Sequence, residues 1–274
     1  MRYDVIVVGA GPAGNLAAQR LASFGHSVCV VDWREKVGDK LCTGIVGREC
    51  MERYCPDLTN VYSQASSAVI VSPSGKRFTI AKAQPQAYIV NRIAFVASLA
   101  EKAQQAGATY LLGPRVTAVD ITSEGVNVTL KTKQASRTIK GSVIIVASGF
   151  ASPIVGMVGL ADGIHSEVMR GVQAEVEAPG IAETEVYLGN SIAPGSFGWL
   201  VPLPNARALM GLVTRQKLNG HMRYFMDNLK KSGRIKDVIR QPQTWGIPVK
   251  PLSKTYGPHT VVVGDAAGLA KPTT

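Results

Sequence analysis

The sequence predicts an α/β protein with two interleaved domains, one built on parallel strands and the other an α+β domain on a mainly antiparallel sheet. Three observations support this. Residues 3–8 form a continuous apolar run that leads through a glycine-rich turn into a helix and a second strand. From Ala68 onward the strands become short and alternating. The length of 274 residues exceeds one average domain, and 46% hydrophobic against 18% charged residues excludes a disordered chain.

The first elements follow a strand, helix, strand order. The run YDVIVV at 3–8 precedes a helical pattern that stops at Gly25, and SVCVV at 27–31 ends at Asp32. Continuous rather than alternating apolar runs indicate parallel strands covered on both faces. A loop over 34–47 and a short helix over 49–54 come next.

The remaining chain predicts a hairpin, two long helices and several strands. The hairpin turns at Pro73–Gly75, and the helices cover 93–107 and 218–229. Strands are expected at 109–112, 116–121, 126–132, 137–140, 143–147 and 260–263, with a second strand-rich region at 167–214. The uncharged stretch 143–161 is interrupted by Gly149, Pro153 and Gly156, which favours a buried strand and a loop over a membrane-spanning helix.

The turn after the first strand has the spacing of a dinucleotide site. Gly9 permits a tight turn, Gly11 lets a pyrophosphate approach the backbone, and Gly14 allows helix and strand to pack closely. The helix N-terminus supplies amide donors to phosphates, and Asp32 can accept hydrogen bonds from a ribose diol. The alternative is a glycine-rich turn that serves packing alone.

Two further motifs extend this pattern. The segments DVIVVGAGPAG at 4–14, NRIAFVASLAEKAQQAGA at 91–108 and TVVVGDAAG at 260–268 together resemble the FAD-dependent oxidoreductases of the para-hydroxybenzoate hydroxylase fold. The resemblance implies a Rossmann-like FAD-binding domain from 1–66, 90–164 and 257–274, and a substrate domain from 67–89 and 165–256. The FAD-binding residues that it implies are Gly9, Gly11, Ala13, Gly14, Asp32, Trp33, Thr43, Gly44, Val46, Arg92, Val116, Gly264 and Asp265.

Within that superfamily, two segments resemble the geranylgeranyl reductases. GDKLCTGIVG at 38–47 is similar to their K-x-C-G loop, and FGWLVP at 197–202 to their Y-x-W-x-F-P motif, with Thr43, Phe197 and Val201 departing from the usual residues. The resemblance implies reduction of C=C bonds in an isoprenoid lipid by hydride transfer from reduced flavin. Cys42 is then a candidate catalytic residue, with neighbouring Lys40 favouring its thiolate, or else a small loop residue without chemistry.

The same resemblance implies that Phe197 and Trp199 line an apolar substrate channel. They lie two residues apart on one strand, so their side chains point the same way. An aromatic face suits an isoprenoid chain, because it offers no charge to desolvate. A tryptophan that only fills the core is the alternative.

The electron donor and the reaction class stay open. Ser148-Gly149 stands where the superfamily has Asp-Gly, so NADPH and a ferredoxin-like protein are both expected donors. An aromatic-ring monooxygenase is one alternative function. A flavin- or lipid-binding protein without turnover is another, because the chain stops at Thr274, where the family continues, and we expect it to be truncated.

The charge distribution and the cysteine spacing indicate which kinds of partner to expect. The net charge is +11, and ten Lys and Arg against two Asp between 214 and 258 supply +8 of it, which predicts contact with an anionic headgroup or a peripheral contact with an anionic membrane. A solvated helix face is the alternative, and no nucleic-acid partner is expected. The cysteine spacings predict no metal site, Cys29 is expected in the core, and the N-terminus lacks a signal-peptide pattern, which favours the cytoplasm.

Overall fold

A computed structural model describes residues 1–40, 42–54, 58–161, 167–218 and 220–270. The helices are α1 (Pro12–Ser23), α2 (Arg48–Tyr54), α3 (Arg92–Gln105), α4 (Ile154–Met157) and α5 (His221–Lys231), and Gly264–Ala267 forms a 3₁₀ turn. The strands are β1 (Arg2–Val8), β2 (Val28–Asp32), β3 (Ile45–Gly47), β4 (Val61–Ala65), β5 (Ser67–Val71), β6 (Arg77–Ala81), β7 (Ala87–Val90), β8 (Thr109–Leu112), β9 (Arg115–Thr122), β10 (Gly125–Lys131), β11 (Ser136–Val146), β12 (Val168–Glu177), β13 (Thr184–Leu188), β14 (Phe197–Leu203), β15 (Arg207–Thr214), β16 (Val238–Pro248), β17 (Tyr256–Gly257) and β18 (Thr260–Val262).

The chain divides into two compact units, each assembled from separate segments. The first unit contains 1–40, 93–168 and 247–274, and the second contains 41–92 and 169–246. The segment 41–66, which the sequence assigned to the nucleotide-binding domain, lies instead in the second unit. The physical reason is strand pairing: β3 and β4 both pair with β7 in a small antiparallel sheet.

The first unit is a doubly covered parallel sheet, as predicted. Its strands follow the order β17, β18, β11, β1, β2, β8, and β1 pairs in parallel with both β11 and β2. Alternate residues of β1 pack into different cores, Ile6 and Val8 into one and Val5 and Val7 into the other. Because apolar side chains are needed on both faces, the run is continuous rather than alternating.

Strand β11 differs from its prediction in length. Two separate strands were expected at 137–140 and 143–147, whereas one strand runs through both. Its first half pairs antiparallel with β10, and its second half pairs in parallel with β1 and β18. The uncharged stretch that begins in β11 continues into α4, as expected for a strand and a loop. No helix in the described part of the chain combines the length and apolar character that crossing a bilayer requires.

The second unit is an α+β layer with a mainly antiparallel sheet, also as predicted. The strand order is β16, β12, β15, β14, β13, β5, β6, with β13 and β5 as a parallel pair. Helix α5 lies on one face, where Met222, Phe225 and Leu229 join the core formed by Leu200 and Met210. The opposite face of this sheet carries Trp199.

Candidate functional site

The glycine turn after β1 combines two packed glycines with one open glycine. Gly9 has φ +114°, and a Cβ there would collide with the backbone of Ala147. A Cβ at Gly14 would overlap the carbonyl oxygen of Gly9. By contrast, nothing lies within 4 Å of where a Cβ on Gly11 would be. The turn is therefore closed toward the protein and open at Gly11, the residue expected to face a pyrophosphate.

Asp32 ends β2 and is attached to this turn. Its Oδ2 accepts a hydrogen bond from the Ala10 amide at 2.8 Å, and its Oδ1 accepts one from the Arg34 amide at 2.9 Å. A carboxylate has about four acceptor positions, so lone pairs remain for a ribose diol. The structure thus brings the predicted acid and the predicted turn together.

Asn15 is a residue of this site that the sequence analysis missed. It is fully buried on α1, and its amide donates to the carbonyl oxygens of Ala10 at 3.1 Å and Val96 at 3.3 Å. Its Oδ1 accepts from the Tyr110 hydroxyl at 2.9 Å, and burial raises the pKa of Tyr110 well above its usual value. The only available signal was a polar residue on an otherwise apolar helix face. Asn15 holds the loop that carries Ala10.

Trp33 lies beside the Asp32 end of the turn, whereas the side chain of Val116 on β9 packs against a hydrophobic core of the first unit. The guanidinium groups of Arg34 and Arg115 lie 4.4 and 4.3 Å from the centre of the Trp33 ring, which is cation–π distance. Trp33, Arg34, Arg115 and Thr117 line an open groove of about 830 Å³. Trp33 is therefore placed at the end of the site where Asp32 would hold a ribose, and Val116 is not among the residues that line this groove.

A second group of residues gathers where β11 and β18 end. The ammonium group of Lys40 lies 2.8 Å from Oδ2 of Asp265, and a Cβ on Gly149 would lie 3.5 Å from that ammonium group. Gly264 has φ +63° and approaches Ala13 so closely that its Cβ would lie 3.1 Å from the Ala13 Cβ. Lys40 was expected to act on the Cys42 thiol, and it pairs with Asp265 instead.

Ser148 is the second residue that the sequence analysis left without a role in binding. Its Oγ is buried and has no hydrogen-bond partner within the described ranges. Ligands of open α/β sheets bind outside the carboxyl ends of the strands, and Gly9, Asp32, Ser148 and Gly264 all lie at or just after such ends. An unpartnered buried hydroxyl and an open Gly11 are features that a bound dinucleotide would use, so these residues fit FAD.

The second unit holds the other predicted cofactor residues. Gly44 has φ +75°, and its carbonyl oxygen accepts a hydrogen bond from the Val90 amide at 2.9 Å. This contact and the β3–β7 pairing bring Thr43, Gly44 and Val46 to the segment that ends at Arg92. The Nη1 atom of Arg92 is buried without a partner in the described part of the chain, so a donor is free there for an anionic or carbonyl group.

Cys42, Phe197 and Trp199 also belong to the second unit. Trp199 is 5% exposed, and its ring centre lies 6.2 Å from that of Phe197 and 6.2 Å from that of Trp245. Cys42 is exposed, and its carbonyl oxygen accepts a hydrogen bond from Gln173 Nε2 at 3.5 Å. The burial of Trp199 suits both a substrate wall and a core residue.

This fold and this dinucleotide turn define a flavin-type oxidoreductase. The family model described as pyridine nucleotide-disulphide oxidoreductase matches residues 3–177, more than half of the chain. The chain is 31% identical to digeranylgeranylglycerophospholipid reductase of Methanocaldococcus jannaschii, across 99% of the chain and 72% of that reductase. It therefore belongs to the pyridine nucleotide-disulphide oxidoreductase family and to the family of the digeranylgeranylglycerophospholipid reductases.

Solved structures show the same fold. A geranylgeranyl bacteriochlorophyll reductase-like protein of Thermoplasma acidophilum superposes with a TM-score of 0.90 at 23% identity, over 99% of this chain and 72% of its own. The p-nitrophenol 4-monooxygenase of Pseudomonas putida superposes with a TM-score of 0.79 at 15% identity, over 96% of this chain and 72% of its own. Reductases and monooxygenases thus share this architecture, and the fold alone does not choose between them.

Proposed function

We propose that the protein is a FAD-dependent reductase that saturates C=C bonds of an isoprenoid lipid. The observation that carries the proposal is an indole-lined apolar sheet face around Trp199 in a chain that also holds the dinucleotide turn. The relative of Methanocaldococcus jannaschii, named for a prenyl lipid substrate, supports the same substrate class. Apolar walls with few polar groups are typical of sites for hydrophobic ligands.

FAD supplies hydride chemistry when bound. The protein's own residues supply position and charge. The amides at the start of α1 and the open backbone at Gly11 would bind the pyrophosphate, and Asp32 the adenosine ribose. The Lys40–Asp265 pair, with Gly264 and the Ser148 hydroxyl, would hold the other half of the cofactor. Arg92, Thr43, Gly44 and Val46 are also proposed as cofactor-binding residues.

Cys42 is the proposed proton donor or pocket-shaping residue. Its thiol is exposed, and its carbonyl oxygen is bonded to Gln173. Saturating an isolated double bond requires a proton on one carbon and a hydride on the other, so a thiol next to the substrate could supply the proton. A Cys42→Ser variant that turns over at the wild-type rate at every pH would remove Cys42 from this role.

NADPH or a ferredoxin-like protein is proposed as the electron donor. Ser148, in place of an aspartate, offers a hydrogen bond but no charge to arrange a nicotinamide. Supplying each donor to the FAD-loaded protein without oxygen and following flavin bleaching decides between them. Rapid bleaching by NADPH alone would leave no need for a ferredoxin.

Oxygen consumption tests the reaction class. We expect the FAD-loaded protein to consume reductant in the presence of a prenyl lipid without a matching uptake of oxygen. Uptake of one oxygen molecule per reductant, with a hydroxylated product, would identify a monooxygenase instead. A protein that retains no flavin after reconstitution and gel filtration would contradict both and leave lipid binding without turnover.

A further inference from the structure

Gln173 is a buried polar side chain in an apolar row of the second unit's sheet. Strand register places it opposite Gly211, which in turn lies opposite Trp199 on the next strand. The row continues across the sheet through apolar residues, so that its members are Gln173, Gly211, Trp199, Val186, Ile70 and Phe78. Neighbours in a register row project from the same face. Gln173 is therefore the one side chain of this row that carries a hydrogen-bonding amide.

Two atoms in this row are buried without a hydrogen-bond partner within the described ranges. They are Oε1 of Gln173, whose residue is 3% exposed, and Nε1 of Trp199, whose residue is 5% exposed. The orientation of the amide follows from its other contact, because Nε2 has to face the Cys42 carbonyl oxygen to donate. The row thus contains one free acceptor and one free donor. Buried polar atoms of this kind usually have a hydrogen-bond partner, so these two unpartnered atoms indicate a ligand.

The indole of Trp199 extends from its own strand toward Gln173. A Cβ on Gly211 would lie 2.7 Å from Cε2 of Trp199, so the ring covers the glycine between them. Nε1 is bonded to Cε2, which places the free donor over the strand next to that of Gln173. A residue other than glycine at 211 would push the indole away.

The neighbouring charges are already paired. Glu175, on the same face of β12, binds Arg207 at 2.8 Å and Arg240 at 3.3 Å. Its carboxylate therefore has its own partners and does not satisfy the Gln173 amide. A free acceptor and a free donor without a free charge suit a neutral group that both donates and accepts.

We propose that Gln173 and Trp199 bind a hydroxyl group of the lipid, with Gln173 Oε1 accepting a hydrogen bond from the hydroxyl and Trp199 Nε1 donating one to its oxygen. The inference rests on the proposed function, because it assigns a polar group to the substrate of the same site. It also makes Gln173 a specificity residue that contacts the lipid and the Cys42 loop together. A water molecule has the same chemistry, and the experiment separates the two sources.

The test compares geraniol with the hydrocarbon of the same skeleton that lacks the hydroxyl. Equilibrium dialysis against the purified protein gives both dissociation constants and needs no turnover. We expect the wild type to prefer geraniol by roughly tenfold, the worth of one or two buried hydrogen bonds. Gln173→Met, which keeps length and removes the amide, should abolish the preference and leave hydrocarbon binding unchanged. Gln243 is exposed on β16, so Gln243→Met is the matched control and should keep the preference for geraniol.

Trp199→Phe provides a second variant in case Gln173→Met fails to fold, which thermal melting by circular dichroism reports. It removes the indole N–H, retains an aromatic ring, and should reduce the preference severalfold. Equal affinity of the wild type for both ligands, or an unchanged preference in Trp199→Phe, would overturn the proposal. Water would then be the partner of the two buried atoms. A preference for geraniol without any double-bond reduction would support it while contradicting the proposed function.

Discussion

At the residue scale, Gly11 and Gly14 of the dinucleotide turn differ in the space available for an added methyl group. We predict that Gly14→Ala prevents folding or costs about 3 kcal/mol or more of unfolding free energy, because its Cβ would overlap the Gly9 carbonyl oxygen. Gly11→Ala should fold like the wild type, since no atom lies within 4 Å of its Cβ, yet lose FAD affinity at least tenfold.

Denaturant unfolding and flavin titration of both variants check this contrast. Gly25→Ala is unsuited as a control because Gly25 has φ +87°, whereas Gly47, which also has nothing within 4 Å of its Cβ, provides one. Wild-type flavin affinity in Gly11→Ala would show that no phosphate approaches this backbone.

Asn15 should matter for stability although it cannot reach a ligand from the core. Replacing Asn15 by Leu removes its hydrogen bonds to the carbonyl oxygens of Ala10 and Val96 and to the Tyr110 hydroxyl, which predicts a loss of about 2–4 kcal/mol in urea unfolding. Tyr110→Phe removes one of these bonds and should cost less, about 1 kcal/mol. Equal losses in the two variants would contradict the proposed network.

A buried ion cluster joins several elements of the second unit. Glu185 on β13 is 2% exposed and accepts hydrogen bonds from Arg77 at 2.6 Å, from Arg234 after α5, and from the Tyr187 hydroxyl. Burial opposes ionisation of Glu185, but the hydrogen bonds from Arg77 and Tyr187 and the charge of Arg234 outweigh it and lower its pKa below 4.5. The cluster ties an edge strand, an inner strand and the end of α5.

The lowered pKa of Glu185 makes the free energy of unfolding depend on pH. A carboxyl with a lower pKa in the folded state stabilises the fold above its unfolded pKa, and this contribution disappears as the pH falls through the folded value. Glu185→Gln should therefore cost about 3 kcal/mol at neutral pH and progressively less below pH 4.5. Urea unfolding from pH 7 to pH 3 measures the difference. A difference that stays constant with pH would contradict the ionised cluster.

The elements that the sequence predicts well are those with local signals. Strands β1 and β2, helix α1 and the β5–β6 hairpin follow from apolar periodicity and turn residues, and Cys29 is buried in β2 as expected. The small sheet of β3, β7 and β4 was missed because its pairing joins Ile45 to Ile89, and no local pattern reports such a contact.

The same dependence on local signals explains which site residues could be predicted from the sequence. Gly9, Gly11, Gly14 and Asp32 are recognisable because their spacing is fixed by one turn. The Lys40–Asp265 pair joins residues 225 positions apart, and the Gln173–Cys42 bond joins residues 131 apart. Tertiary pairing of this kind depends on the whole fold, so residue type alone could not reveal it.

At the scale of the whole molecule, ion pairs neutralise part of the basic charge. Of the ten cations between 214 and 258, at least four are paired with carboxylates in the described part of the chain: Arg234 with Glu185, Lys236 with Glu177, Arg240 with Glu175, and Lys250 with Glu167. Arg223, Lys230 and Lys231 lie exposed on α5. We propose these three as the peripheral contact with an anionic membrane.

Changing Arg223, Lys230 and Lys231 to Gln tests that contact. Each cation near an anionic surface contributes about 1 kcal/mol, so the triple variant should bind phosphatidylserine vesicles roughly a hundredfold more weakly at low salt. The matched control changes the exposed Lys131, Lys133 and Lys140 of the first unit to Gln. Equal loss in both variants would indicate attraction by net charge, and no vesicle binding by the wild type would end the membrane proposal.

We propose that this flavin-binding chain reduces double bonds of a prenyl lipid. The most direct measurement is mass spectrometry of digeranylgeranylglycerophospholipid after incubation, without oxygen, with the FAD-loaded protein and dithionite. We predict a product that has gained two hydrogen atoms for each saturated double bond, and less of it with Gly11→Ala at the same limiting FAD concentration, because its FAD affinity should be at least tenfold lower. A lipid of unchanged mass, recovered from a protein that holds reduced FAD and binds the lipid, would contradict the proposed reduction.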